Sequence, residues 1–275
     1  MPEGQAQASL ANRAHGEIRA RFERFGTRTH IARLYETGGL RLCHPRAAQG
    51  CEGVILNTAG GIAGGDRAHF TFEAGPGADV TLTTQAAEKI YRSEKSPAEL
   101  SVSLTLEPLA CLEWLPQETI LFDQARLTRR LNADMAADAS LLLLEANVFG
   151  RLARGETAIE GALHESWRVR RAGKLVFAEE MRLEGALGAI LDRKAIGQGA
   201  RATALLLLVA PDAEQRLETF RAALEGFGGR LDHGASAWNK MLVARLACAS
   251  PDLLRAAILK ALALLRGREA PRVWR

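Results

Sequence analysis

The sequence predicts a mainly β fold, mostly antiparallel, with two C-terminal α-helices. Three observations carry that expectation. Short runs of strand character follow one another from about residue 16 to about residue 210, polar glycine-bearing connections separate them, and a helical hydrophobic period appears only beyond residue 210.

The clearest strand contains Leu100, Val102, Leu104 and Leu106, which alternate with Ser101, Ser103 and Thr105 and so fall on one face of a half-buried strand. Similar runs are THIARLYETGGLRLCHP, HFTFEAGPGADVTLTTQ, ARLTRRLNADMAADASLLLLEANVF, GALHESWRVRRAGKLVFAEEMRLEG and ARATALLLLVA. Between them stand turn signals: Gly38-Gly39, AGPGAD at 74–79, RAGK at 171–174 and EGALG at 184–188. The first helix is PDAEQRLETFRAALEGFGG, in which Leu217, Phe220, Leu224 and Phe227 recur at three or four residues and Gly228-Gly229 ends the pattern. A second follows Ser250 as N-cap, with Pro251 at its first position and Gly267 as its stop. Residues 1–15 show no period and are expected to form a mobile tail, leaving 16–275 as a single domain.

Composition narrows the function classes. With 47% hydrophobic and 25% charged residues, the 275-residue chain has an ordinary globular balance. The net charge of +4 comes from arginines interleaved with acids, a solvated surface rather than a nucleic-acid stripe, and 5% aromatic content leaves few platforms for stacked bases. Cys43, Cys51, Cys111 and Cys248 match no structural-zinc or thioredoxin spacing, which predicts free thiols in a reducing compartment. No signal-peptide pattern and no run of about 18 apolar residues is present, so a cytoplasmic protein without a membrane partner is expected.

The stretch LNTAGGIAGGDRAHF, Leu56 to Phe70, poses the first chemical question. A P-loop requires Lys and Ser/Thr after its last glycine, whereas Asp66 and Arg67 stand here and the segment runs into a strand, so a phosphate cradle is excluded. No G-x-S-x-G elbow occurs, HESWR at 164–168 lacks the second histidine of a zinc-protease motif, and the six histidines are dispersed. His44 beside Cys43, with Cys51 beyond, has no standard ligand spacing. TLTTQAAEKIYRSE loses its alternation at Gln85 and carries Glu88, Lys89, Tyr91 and Arg92, a composition that also suits a surface loop with an ion pair. In CLEWLPQETILFDQARLTRRL, Trp114, Pro116 and Phe122 fit a buried bend set with Gln117, Glu118 and Asp123. Glu145 follows four leucines directly, and a carboxylate there needs a partner or a wet cavity.

Taken together, LNTAGGIAGGDR, TTQAAEKIYRS, EWLPQETILFDQARLTRR, FGRLARGE and the terminal PRVWR, in that order, resemble the UreD family of urease accessory proteins, called UreH in some bacteria, over about residues 25–275. The resemblance implies an irregular stacked or helical arrangement of strands with a pair of helices. It also implies a non-catalytic scaffold that binds apo-urease and, with UreF and the GTPase UreG, supports insertion of nickel at the carbamylated-lysine centre of urease. A passage for transient Ni(II) inside the protein belongs to the same implication, with no tightly bound cofactor. Its candidate carboxylates here are Asp66, Glu88, Glu145 and Glu179, each of which an arginine partner would equally account for. On this reading the paired glycines set Asp66 at a passage wall, and Asp66→Ala impairs activation without harming the fold. Trp274, near the chain end, is expected to contribute to the UreF-facing surface.

Two other classes stay open at this level. A β-rich enzyme for a small anionic substrate would use Arg92 or Arg151 as clamps and Glu145 as base. A basic nucleic-acid module would require salt-dependent binding, against which the scattered charge counts.

Overall fold

The computed structural model describes residues 13–46, 50–156 and 159–274. Its strands are β1 (His15–Phe25), β2 (Arg28–Thr37), β3 (Leu40–Cys43), β4 (Cys51–Asn57), β5 (Arg67–Ala74), β6 (Asp79–Thr84), β7 (Glu88–Ile90), β8 (Ala98–Leu106), β9 (Cys111–Leu115), β10 (Thr119–Leu121), β11 (Ala125–Met135), β12 (Ser140–Phe149), β13 (Gly161–Arg171), β14 (Lys174–Gly185), β15 (Ala202–Val209), β16 (Asp232–Trp238) and β17 (Met241–Cys248). The helices are α1 (Leu187–Asp192), α2 (Leu217–Glu225) and α3 (Pro251–Arg266). The mainly β class, the stacked arrangement and the two C-terminal helices agree with expectation. Of the segment expected to be a tail, residues 1–12 lie outside the described residues, and His15 already opens β1.

The strands form two facing sheets. One has the order β14-β13-β11-β8-β5-β1-β2 and the other β16-β17-β15-β12-β9-β6-β4-β3, with β7 and β10 attached beside the latter. From β4 to β13 the chain passes back and forth between them, so each strand lies beside the one a coil further on and runs in the same direction. This corrects the antiparallel expectation. The β1–β5, β5–β8, β8–β11 and β11–β13 pairs are parallel, as are β4–β6, β6–β9 and β9–β12. Turn signals between strands are read as hairpins only if the two strands share a sheet, and here a strand of the opposite sheet replaces the crossover helix. Antiparallel pairs remain at the ends of the stack: β1–β2, β3–β4, β13–β14, β12–β15 and the β15–β17–β16 ladder.

Two cores follow. Ile18, Phe22, Phe72, Leu104, Leu131 and Leu143 fill the space between the sheets, while Leu144, Leu206, Phe220, Leu224, Ile258 and Leu262 join the outer face of the second sheet to α2 and α3. β12 is buried on both faces, which accounts for its continuous leucines: Leu141 and Leu143 point between the sheets, Leu142 and Leu144 toward the helices. Helix α3 is capped as its sequence requires, Ser250 Oγ accepting from Leu253 N and Gly267 adopting a left-handed conformation with φ 62°. The β16–β17 hairpin separates the two C-terminal helices and was not expected from the sequence. Its turn is Asn239-Lys240, both at positive φ (48° and 60°), a two-residue hairpin turn made without glycine.

The glycine-rich stretch is a packing device. An added Cβ at Gly61 would lie 2.3 Å from the Tyr91 ring, and one at Gly64 only 1.9 Å from Ser93 Oγ. The loop therefore lets the next coil approach its backbone. Asp66 closes the loop: Oδ2 accepts from Ala63 N at 2.8 Å, Oδ1 from Ala14 N at 2.9 Å, and Arg67 N donates to Ala14 O at 2.9 Å. The carboxylate thus pins the start of β1 to the stack.

The chain end is packed rather than presented. Trp274 is 1% exposed, donates Nε1–H to Leu115 O at 3.1 Å and lies under the Arg255 guanidinium at 4.9 Å, which corrects the expectation that it faces a partner.

Two stability predictions follow from these contacts. Trp274→Ala is expected to lose about 3–5 kcal/mol in urea unfolding, against no more than about 0.5 kcal/mol for Phe25→Ala, since Phe25 is 82% exposed. Asp66→Ala should lose about 1–3 kcal/mol through two lost hydrogen bonds to a charged group, with faster hydrogen exchange in β1; a melt and exchange pattern equal to the parent chain would refute the pinning role.

Candidate functional site: a carboxylate-lined cavity between the sheets

At the C-terminal end of the stack β14 and β16 are the last strands of the two sheets, and a cavity of about 460 Å³ lies between the sheets near them. Its polar lining comes from Glu145 and Asn147 on β12, Glu165 on β13, Glu179 on β14, Thr203 on β15, Asp232 on β16 and Arg245 on β17. These side chains meet because each occupies a position in phase with inward apolar residues of its strand. Glu145 and Asn147 continue the Leu141, Leu143 series and end at Phe149, and Glu165 stands between Leu163 and Trp167.

The inner end is a buried ion cluster. Arg129, on β11, is 3% exposed, and Glu145 and Glu165 are 4% and 8% exposed. Arg129 Nε donates to Glu165 Oε1 at 2.7 Å, Nη1 to Thr119 Oγ1 at 2.8 Å and Nη2 to Asn147 Oδ1 at 2.8 Å. Asn147 Nδ2 in turn donates to Glu165 Oε2 at 2.6 Å. Glu145 Oε1 accepts the Trp114 indole N–H at 2.9 Å, while its Oε2 lies 2.7 Å from Arg129 Nη1 without an aligned N–H. Burial pushes the Glu145 carboxyl above the ordinary carboxylate range, with the Arg129 charge opposing and Glu165 reinforcing the shift. Burial works against the charge on Arg129, but the two carboxylates outweigh it and hold the guanidinium protonated. Toward the mouth, Glu179 pairs with the more exposed Arg245.

Of the four carboxylates singled out in the sequence, this cavity gathers Glu145 and Glu179. Glu88 stands apart, in a pocket of about 120 Å³ with Asn57, whose amide reaches both of its oxygens at 3.2 and 3.1 Å. Burial raises the Glu88 carboxyl, and the Asn57 hydrogen bonds oppose that shift. Asp66 spends both oxygens on backbone amides. Sequence reasoning passed over Arg129, Asn147 and Glu165. Their signal was a charged or amide residue at the apolar phase of a strand.

The other candidates separate. Arg151 pairs with Glu156, stacks on Phe122 at 4.6 Å and lines an outer groove of about 740 Å³ with Tyr91 and Arg255, whereas Glu145 faces the inter-sheet cavity. Arg92 is a surface residue beside Glu94. The clamp and base of the small-substrate reading therefore do not share a site. All four cysteines are free, and burial, with Glu113 and Asp79, pushes the Cys111 thiol up to about 12, leaving it protonated at neutral pH. Among the described residues, no three His, Cys, Asp or Glu side chains converge to hold a metal ion, and no helix is long and apolar enough to cross a membrane.

Three stretches that carried the family resemblance are consecutive coils. The bends after β4, β6 and β9 lie side by side, tied by Gln85 N to Ile55 O at 2.9 Å, Glu88 N to Glu118 O at 2.9 Å and Gln117 Nε2 to Gln85 O at 2.9 Å. Comparison with known proteins agrees with this reading. A family model described as UreD urease accessory protein matches residues 14–275. A urease accessory protein UreD of Beijerinckia indica is 56% identical over 96% of this chain and 97% of its own length. Counterparts from Methylobacterium sp. strain 4-46 and Xanthobacter autotrophicus are 51% and 48% identical, over 90% and 98% of this chain and 90% and 92% of theirs. From its stacked motif coils to its C-terminal strap, the chain belongs to the UreD family of urease accessory proteins.

Proposed function

We propose that the chain is a non-catalytic scaffold of urease maturation that binds the apo-urease subunits, joins UreF and through it the GTPase UreG, and lets divalent nickel in transit pass the carboxylates of the inter-sheet cavity. The observation that supports this most directly is a cavity with several carboxylates in its wall inside the apolar sandwich of a urease accessory protein. Nickel accepts oxygen ligands, and the carboxylates of Glu179 near the mouth and Glu145 further in supply them. A cargo ion has to leave again, so a route of separated weak ligands suits transfer better than a closed site. The sequence has no P-loop, and nucleotide hydrolysis is assigned to UreG on this reading. Glu145 and Glu179 are the residues assigned to the route; Asp66 is assigned to the fold and Glu88 to a separate pocket.

The test is reconstitution of nickel-dependent urease activation from the purified chain, UreF, UreG, GTP and the urease subunits. Activity that requires the chain, and that drops in Glu145→Gln and Glu179→Gln variants still co-purifying with their partners, is the expected result. Full activation by the double variant would remove the route, and failure of the chain to join the complex would remove the scaffold role.

A further inference from the structure

Every acidic side chain that faces the cavity from β12, β13 and β14 already holds a guanidinium. Glu179 has Arg245 at the mouth, and Glu145 and Glu165 share Arg129 at the inner end. The two pairs differ in freedom, because the Arg245 side chain is 57% exposed and the Arg129 side chain 3%. Two buried carboxyl groups also share one guanidinium at the inner end, and Glu145 Oε2 has no aligned donor. Arg129 sits at the point where the carboxylates converge. A cation approaching them meets a cation already in place.

We propose that Arg129 is a resident counter-cation that an incoming divalent ion must push aside, and that by competing for the Glu145 and Glu165 oxygens it keeps the inner end of the cavity from closing into a tight metal site. The inference rests on the reading of the cavity as a nickel route. A divalent ion held by several carboxylates in a low-dielectric interior is bound strongly and released slowly. The guanidinium weakens that hold by offering the same oxygens an alternative partner, and it can do so at any physiological pH because it does not titrate there. Thr119 Oγ1 and Asn147 Oδ1 give its planar fork two neutral acceptors, so the side chain keeps hydrogen bonds while it loosens from a carboxylate. Lysine, with a point charge and no fork, is not an equivalent occupant.

The experiment is calorimetric titration of the purified full-length chain with Ni(II) alone, comparing the parent with Arg129→Gln and Arg129→Gln/Glu145→Gln, each checked for folding by circular dichroism. Arg129→Gln is expected to bind nickel at least about tenfold more tightly than the parent, equivalent to about 1.4 kcal/mol, and the second substitution should abolish the gain. A folded Arg129→Gln chain with parental affinity overturns the proposal, as does a gain that survives loss of Glu145. Should Arg129→Gln not fold, Arg129→Met, neutral and of similar length, takes its place: tighter nickel binding than the parent supports the proposal and equal binding overturns it. The outcomes separate from those of the route itself. Glu145→Gln and Glu179→Gln variants that activate urease normally would sink the route whatever Arg129 does, whereas impaired activation with unchanged nickel affinity in the Arg129 variant removes the arginine's role alone.

Discussion

The alternation of the chain between two sheets is the constraint on which the rest of this structure depends. Because each coil lays one strand in each sheet, the neighbour of a strand is the strand one coil away, and the pairing is parallel without intervening helices. The space between the sheets then runs the length of the stack and must be filled by alternate residues of every strand. Aromatic and aliphatic side chains fill most of it. Near the β14 and β16 edges the filling turns polar, and burial compels each charged group there to find a partner.

Much of this was legible in the sequence, and what escaped did so for identifiable reasons. Alternation at Leu100 to Leu106 located β8, and Ser250, Pro251 and Gly267 located α3, because these are local patterns with local causes. Strand direction is not local: a glycine turn looks the same whether the next strand returns beside the last one or crosses to the other sheet. The Asn239-Lys240 turn carried no glycine, and EGALG read as a turn although α1 begins at Leu187. For the site, Glu145 stood out against its leucines, and Glu179 entered through the family resemblance. Arg129 and Glu165 were overlooked because arginine-rich strands look like surface strands until their inward phase is known.

The C-terminal segment repeats the same electrostatic solution on the outer face of the second sheet. Glu113, 4% exposed on β9, meets Arg266 at 2.8 Å and Arg268 at 3.0 Å, and burial, which alone would raise its carboxyl, is outweighed by these two guanidinium groups so that its pKa falls below the ordinary value. Arg255 reaches Glu118 at 2.9 Å, and Gln117 donates to Val273 O at 3.0 Å. The bend that carries Pro116, Gln117 and Glu118 thus ties the coil stack to the end of the chain. Here the ion pairs have an evident mechanical role, since they fasten a segment that covers the sheet where the helices do not.

The inner cluster has no comparable segment to fasten. Arg129, Glu145 and Glu165 lie on strands β11, β12 and β13, whose positions are set by ladder hydrogen bonds and by leucine, tryptophan and phenylalanine contacts on either side. Well-packed apolar side chains in place of a buried ion cluster commonly leave stability unchanged or improve it, because the attraction between the charges rarely exceeds the cost of taking them out of water. Stability therefore does not account for a guanidinium and two carboxyl groups at this depth. Glu145 and Glu165 instead line a cavity that apolar residues would have closed, and Arg129 holds both carboxyl groups from behind it.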